Sequence, residues 1–204
     1  MPTSVGPKTY GKDNLVFGYD TGDTVNSYKG EPTENLVDAF PDTSLPSGFH
    51  LTYEFSASIS DAPVSNHKFS SKKWVKFTKT KATNGRVMFT NGTYDSGSQY
   101  TWSCYVYCND SRLTSLYHGS DNGAYSQRTS FKQYDFNKLG TVQRLYGTWN
   151  QLQNGGSIFG MRAGSTNPLS SSFFMTGLQV EEKGHMTPVI DGERSADSGS
   201  ILDL

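Results

Sequence analysis

The sequence predicts an all-β protein built as a β-sandwich, and three observations predict it. Apolar and polar residues alternate with a period of two in several segments, as in half-buried strands. Clusters of Asn, Asp, Ser and Gly separate these segments, as in tight turns. No window of a dozen residues keeps the apolar spacing of an amphipathic helix. Many short strands at short spacing are typical of a sandwich or barrel.

The clearest strand lies at 99–108, which reads QYTWSCYVYC. Its alternation places Trp102, Cys104 and Cys108 on one face, while Tyr105 and Tyr107 lie on the other. Two cysteines beside a tryptophan on one strand face are predicted to be buried thiols. Further strands are predicted at 49–58, 73–79, 85–89, 142–146, 157–162 and 172–180. Turns are predicted at 83–85, 90–92, 95–97, 120–123 and 154–156.

The composition excludes several classes of function. Of the 204 residues, 34% are hydrophobic and 13% are aromatic, and the formal net charge is −1. A disordered chain lacks aromatics, and a phosphate-neutralising protein carries a basic surplus, so neither disorder nor nucleic-acid binding is expected. No apolar run approaches the roughly 18 residues of a membrane span, so no membrane insertion is expected. The polar start, MPTS, and the two cysteines favour synthesis in a reducing cytoplasm.

The chain divides by composition into an N-terminal arm and leader (1–35), a sandwich (36–183) and a C-terminal arm (184–204). The arms hold too few apolar residues to form a core. Prolines keep such segments extended, and an extended segment can add to the edge of a neighbouring sheet. We therefore expect residues 1–14 and 184–204 to clamp neighbouring subunits. The C-terminal residues assigned to these contacts are Pro188, Arg194, Ile201, Leu202 and Leu204.

The sequence shows no catalytic motif. None of the four histidines accompanies a nucleophile elbow, and no paired motif marks the acids Glu54, Asp61, Asp110 and Asp135. The protein is therefore expected to be non-enzymatic and to carry no cofactor. Asp20 and Asp23 could supply oxygen ligands to a structural Ca²⁺, although a plain Asx turn is favoured there.

Two segments combine aromatic rings with side chains that pair with sugar hydroxyls. The first is read as one loop, 117–125, and the second is 149–154. The alternative for Trp149 is packing in the core or at its rim, with the polar groups satisfying turns. The candidate glycan-binding residues are Tyr117, His118, Asp121, Asn122, Tyr125, Trp149, Asn150 and Gln151.

Three stretches resemble structural proteins of tailed bacteriophages. NLVFGYDTGDTVNSYKGEPTENL at 14–36 is similar to a leader of these proteins, and YTWSCYV at 100–106 to a strand of their jelly rolls. FMTGLQVEEKGHMTPVIDGERS at 174–195, with ILDL at 201–204, is similar to the ending of tail-fibre and minor virion proteins.

This resemblance implies a jelly-roll sandwich of the concanavalin or carbohydrate-binding-module type with extended terminal arms. It also implies a place in the virion, either as head decoration, in the neck or collar, or in a tail fibre. The implied partners are further copies of the chain, as a dimer or trimer, and other virion proteins. The alternative function is adhesion, in which the module binds a host-surface glycan or receptor.

Overall fold

A computed structural model describes residues 33–37, 39–45, 50–51, 54–83, 85–88, 92–120, 126–157, 159–163, 166–189 and 193–194. The chain divides into a large unit, 34–193, and a second unit formed by 1–33 and 194–204. Almost all of the second unit lies outside the described residues. The account below therefore concerns the large unit.

The described chain is almost entirely strand and turn, as predicted. Its one helical element is a 3-10 turn, Phe136–Lys138. The strands are β1 (Thr33–Glu34), β2 (His50–Leu51), β3 (Phe55–Ser60), β4 (Trp74–Lys79), β5 (Gly85–Met88), β6 (Gly92–Tyr94), β7 (Gln99–Tyr107), β8 (Leu116–Ser120), β9 (Ser126–Lys132), β10 (Val142–Gln151), β11 (Gly155–Ser157), β12 (Phe159–Ala163), β13 (Ser172–Glu181) and β14 (Glu193–Arg194).

The largest sheet has six strands in the order β3-β4-β13-β7-β10-β9, and all neighbours are antiparallel. At its centre, Cys104 of β7 is the partner of Leu145 on β10. A second sheet has the order β2-β5-β12-β8, and β6 pairs with β11. β1 and β14 form a further two-stranded ladder. Two stacked antiparallel sheets confirm the predicted sandwich.

The core lies against the inner face of the six-stranded sheet, where alternate residues of each strand are apolar. On β7 these are Tyr100, Trp102, Cys104 and Val106, and all four are buried. Leu116 of β8 joins the same cluster from the four-stranded sheet. The predicted burial of the cysteine thiols is confirmed, since Cys104 and Cys108 are both fully buried and unbridged. Burial raises the pKa of Cys108 to about 11 and that of Cys104 further, so both remain protonated thiols at neutral pH.

Most predicted strands are present, with shifted ends. The segment predicted as one strand at 49–58 is two strands, β2 and β3, and β10 runs five residues beyond its predicted end. The interpretation of 117–125 as one loop is wrong for residues 117–120, which belong to β8. There His118 is the register partner of Met161 on β12. Ladder hydrogen bonds to a distant strand override the local preference of Gly and Ser for a turn.

Candidate functional site

The outer face of the six-stranded sheet carries the most distinctive described surface. Residues that alternate with the core positions point to this face: Tyr105 and Tyr107 on β7, Arg144 on β10, and Lys76 and Phe174 on neighbouring strands. The register brings some of them side by side, since Phe174 is the partner of both Lys76 and Tyr107. Apolar rings and cations are therefore interleaved across three adjacent strands.

A turn segment, 67–73, folds over this face and adds to it. The backbone N–H of Ser70 donates to the carbonyl of His67 (2.8 Å), and the N–H of Lys72 donates to that of Phe69 (3.2 Å). The buried indole of Trp74 donates from Nε1 to the carbonyl of Phe69 (3.1 Å). These bonds fix the segment on the sheet and hold Phe69 beside Tyr105.

We define the aromatic cluster as Phe40, His67, Phe69, Trp74 and Tyr105. Phe69 lies at its centre, with ring centroids 5.0 Å from Phe40, 5.1 Å from Tyr105 and 5.5 Å from His67. These three contacts are edge-to-face, the geometry that the ring quadrupoles favour. All members except Trp74 are half-buried, so parts of their rings face solvent.

Three cations lie over rings of the aromatic cluster. Lys68 Nζ is 5.1 Å from the Phe69 centroid, Lys72 Nζ is 4.7 Å from that of Phe40, and Arg144 Cζ is 5.5 Å from that of Tyr105. These separations are within the range of cation–π attraction. Lys68 and Lys72 are exposed, so their ammonium groups, which lie over the rings, remain accessible to water.

His67 is neutral at this site. Its Nδ1 accepts the backbone N–H of Phe69 at 3.2 Å, which requires an unprotonated nitrogen. Burial, and secondly the positive charge of Lys68, lower the pKa of His67 below its usual value. The histidine therefore acts here as a fifth ring rather than as a charge.

Gly177 on β13 allows the cluster to approach the sheet. It has a φ of +58° and lies where the register between β13 and β7 shifts. A Cβ at this position would be 3.2 Å from Tyr105 Cδ2 and 3.4 Å from Phe69 Cε2. Only glycine provides both the left-handed backbone and the space.

Next to the cluster, residues 183–189 cover a polar part of the same face. Thr187 is buried there, and its backbone N–H donates to Glu181 Oε2 at 3.1 Å. Its hydroxyl donates to Glu181 Oε1 at 2.5 Å and accepts from Gln179 Nε2 at 3.0 Å. Arg144 donates to the Thr187 carbonyl and to Ser103 Oγ. This part of the face is therefore closed by the chain itself.

Two of the predicted glycan-binding residues are buried, and the structure corrects their assignment. Trp149 has 0% exposure and stacks on Tyr100 with centroids 5.4 Å apart. Its Nε1 donates to Gln151 Oε1 at 3.1 Å, and Gln151 is 1% exposed. Successive residues of β10 point to opposite faces, so Trp149 and Gln151 both point to the core and Asn150, between them, points outward. Of the two roles considered for Trp149, packing in the core is therefore correct. Asn150 is half-buried and accepts from Gln99 Nε2 at 2.7 Å.

The other predicted site residues are placed only in part. Tyr117 and His118 lie on β8, where the structure describes the backbone alone, and Asp121, Asn122 and Tyr125 lie outside the described residues. Asp20, Asp23, Ile201, Leu202 and Leu204 also lie outside them. Arg194 is in β14, and Pro188 is half-buried on the segment that covers the sheet. The assembly role of the arms stays a prediction.

Three of the four acids considered for catalysis have local roles. Asp61 pairs with Lys73 at 2.6 Å, and Asp135 caps the 3-10 turn. Asp110 accepts two hydrogen bonds from the Arg112 guanidinium, 2.8 and 2.7 Å long, and these bonds are the main cause that holds its pKa below the usual value. Within the described ranges, no three His, Cys, Asp or Glu residues are grouped as a metal site would require. None of the helical structure described is long and apolar enough to cross a membrane.

Sequence reasoning did not select the aromatic cluster, although two signals pointed to it. Tyr105 and Tyr107 alternate with the core positions of β7, and this places two large rings on a face that a solvated strand fills with small polar residues. The stretch 67–74, HKFSSKKW, interleaves rings with lysines. Neither signal shows that the two segments meet.

No protein-family model and no curated protein match this sequence. Solved structures do. The CBM22-1–GH10 modules of xylanase 10B from Clostridium thermocellum, in complex with xylohexaose, match with a TM-score of 0.53 at 10% identity over 76% of this chain and 30% of theirs. The CBM22-1–CBM22-2 tandem of Xyn10C from Paenibacillus barcinonensis matches with a TM-score of 0.50 at 9% identity, over 77% of this chain and 47% of its own.

These likenesses show the fold: the chain is a jelly-roll β-sandwich of the carbohydrate-binding-module type, as expected. It spans less than half the length of each of these structures. A tripod from the baseplate of bacteriophage Tuc2009 matches over 92% of this chain and 74% of its own, at 13% identity. Its TM-score of 0.36 is too low to indicate a common fold.

Proposed function

We propose that this protein is a non-catalytic component of a tailed-phage particle and that its sandwich binds a surface polysaccharide through the aromatic cluster. The observation that carries the binding proposal is a group of half-exposed rings, Phe40, Phe69 and Tyr105, on the outer face of the large sheet. The central ring, Phe69, has its centroid within 5.1 Å of those of the other two, and a hydrogen-bonded turn holds it there.

Such a surface suits a sugar chain. The C–H faces of a pyranose are apolar and pack on aromatic rings, while its hydroxyls need polar partners at the rim. Lys68 and Lys72 are exposed, and their ammonium groups lie over rings of the cluster, so they supply donors beside the rings. The rings are mutually packed, so little side-chain freedom is lost when a ligand binds.

The local roles of three acids support the proposal that the protein is non-catalytic. A glycoside hydrolase needs two carboxyl groups facing each other across a cleft, roughly 5–10 Å apart. Asp61, Asp110 and Asp135 instead form an ion pair, a bidentate arginine contact and a turn cap. The place on a phage particle is supported by the three motifs at 14–36, 100–106 and 174–204.

Affinity gel electrophoresis tests the binding proposal. The purified protein is run through gels that contain xylan, galactan, polygalacturonate or a glycerol-phosphate teichoic acid. We expect at least one polymer to retard the wild type and Tyr105→Leu to migrate as in an empty gel. Leucine keeps apolar volume in the cluster but removes the ring face. Phe131→Leu, an exposed ring on the edge strand β9, is the matched control and should behave as wild type.

Two results would overturn the proposal. If none of the four polymers retards the wild type, the glycan function is wrong. If Tyr105→Leu binds as wild type does, the site is elsewhere. Circular dichroism of each variant shows whether a loss of binding reflects a loss of fold. For the virion assignment, antibodies raised against the purified chain should label intact phage particles, and unlabelled particles would refute it.

A further inference from the structure

The described part of the outer face of the large sheet carries more cations than acids, although the chain as a whole does not. From this asymmetry we infer that the polysaccharide bound there is anionic, with carboxylate or phosphate groups along its chain. This inference rests on the proposed glycan function and names the class of ligand at the same site. It is carried by the placement of cations around the aromatic cluster.

The strands supply cations to this face and almost no accessible acid. Lys76 on β4 and Lys132 on β9 occupy positions that point outward. Arg144 on β10 also points outward, but residues 183–189 cover it and it donates to the Thr187 carbonyl. Among the outward positions described on β4, β13, β7 and β10, the one acid is Glu181. It is fully buried and accepts two hydrogen bonds from Thr187. A ligand on this surface therefore meets positive charge.

The turn segment adds Lys68 and Lys72, directly over rings that a sugar would contact. Lys68 Nζ lies 5.1 Å from the Phe69 centroid and 5.4 Å from that of Tyr105. Within the described chain, neither lysine is within ion-pair distance of a carboxylate, whereas Lys73, between them and β4, is paired with Asp61. Their ring contacts position the two ammonium groups and leave their charge available to a ligand.

The formal net charge of the whole chain is −1, so this surplus is local. A ligand recognised by rings alone would not require it, and a neutral glycan would gain nothing from it. An anionic sugar fits both features, because its ring stacks while its carboxylate or phosphate meets an ammonium group. Burial lowers the pKa of His67, and the positive charge of Lys68 beside the cluster lowers it further.

The decisive experiment compares matched polymers at low and high salt. Isothermal titration measures the binding of wild-type protein to polygalacturonate, to its fully methyl-esterified form, to glycerol-phosphate teichoic acid and to a poly-thymidine oligonucleotide. We expect an acidic saccharide to bind at least about tenfold more tightly than the neutral ester, with the difference shrinking at high salt. The carboxylate and phosphate polymers distinguish the two sources of charge.

The double variant Lys68→Gln/Lys72→Gln should weaken binding of the acidic saccharide by about three- to tenfold. It should leave binding of the neutral ester unchanged, since glutamine removes the charge but keeps a polar side chain that can hydrogen-bond. Lys138→Gln, which removes an exposed charge between β9 and β10, is the matched control and should change neither affinity.

The remaining outcomes distinguish a failure of the anionic preference from a failure of the proposed glycan function. Equal affinity for the acidic and neutral polymers overturns the anionic preference but leaves the glycan function standing. Binding of the oligonucleotide as tightly as the acidic saccharide also overturns it, since the face would then recognise any polyanion. If the wild type binds no saccharide, both proposals fail.

Discussion

Gly177→Ala is the sharpest test of the packing beneath the aromatic cluster. A left-handed backbone costs an alanine about 1–2 kcal/mol relative to glycine. Its Cβ would also lie 3.2 Å from Tyr105 Cδ2, inside the ordinary carbon–carbon separation of about 3.5–4.0 Å. Overpacking of this kind costs about 1 kcal/mol or more. The two effects together are about 2–3 kcal/mol.

Gly140→Ala separates these two effects. Gly140 has a φ of +74°, and nothing lies within 4 Å of the point that an alanine Cβ would occupy, so the backbone cost remains without the contact. Both substitutions restrict the unfolded chain equally, which favours folding by about 0.4–1 kcal/mol in each. The difference between the two variants therefore isolates the contact with Tyr105 and Phe69.

Urea denaturation of wild type and both variants provides the measurement. We expect the free energy of unfolding of Gly177→Ala to be lower than that of Gly140→Ala by about 1 kcal/mol, with unchanged slopes. For a chain of this length that corresponds to a difference in Tm of about 2–4 °C. Equal destabilisation of the two variants would refute the close packing of Gly177 against the cluster.

Three further outcomes are expected. Thr187→Val should lower the free energy of unfolding by about 2–3 kcal/mol, because Glu181 loses a buried donor, whereas Thr187→Ser should lower it by less than about 1 kcal/mol; equal losses would contradict the hydrogen-bonding role. The folded pKa of Asp110 is lowered mainly by Arg112, so its contribution is present above its usual pKa and is lost as the pH falls through the folded value. The stability difference between wild type and Asp110→Asn, measured by urea titration at several pH values, should therefore be largest near neutral pH, and a difference that grows on acidification would reverse this sign. Trp149→Phe should lower stability by about 1–3 kcal/mol and leave polysaccharide affinity unchanged, since its ring is buried; loss of affinity in a stable variant would return Trp149 to the binding site.

The strand pattern could be predicted because it is local. The alternation about Trp102 needs only neighbouring residues, and it correctly gave the buried face of β7 and the burial of both cysteines. The same local reasoning failed at 117–120. Those residues have turn-like composition, and only pairing with β12 makes them a strand.

The candidate site shows the same limit. Trp149 and Asn150 are adjacent in sequence, and which of them faces the core depends on the register of β10 against its neighbours. The register places the ring of Trp149 in the core. A glycan-binding role would require this ring to face solvent.

By itself, the sequence determined the all-β class, the inner faces of the strands and the absence of a recognisable catalytic motif, since these depend on periodicity and short motifs. Only the tertiary structure decided which rings meet on the outer face. Phe40, Phe69 and Tyr105 come from three separate segments, and Gly177 from a fourth makes room for them. Contacts between distant segments follow from strand order and register, which a single period-two pattern does not specify.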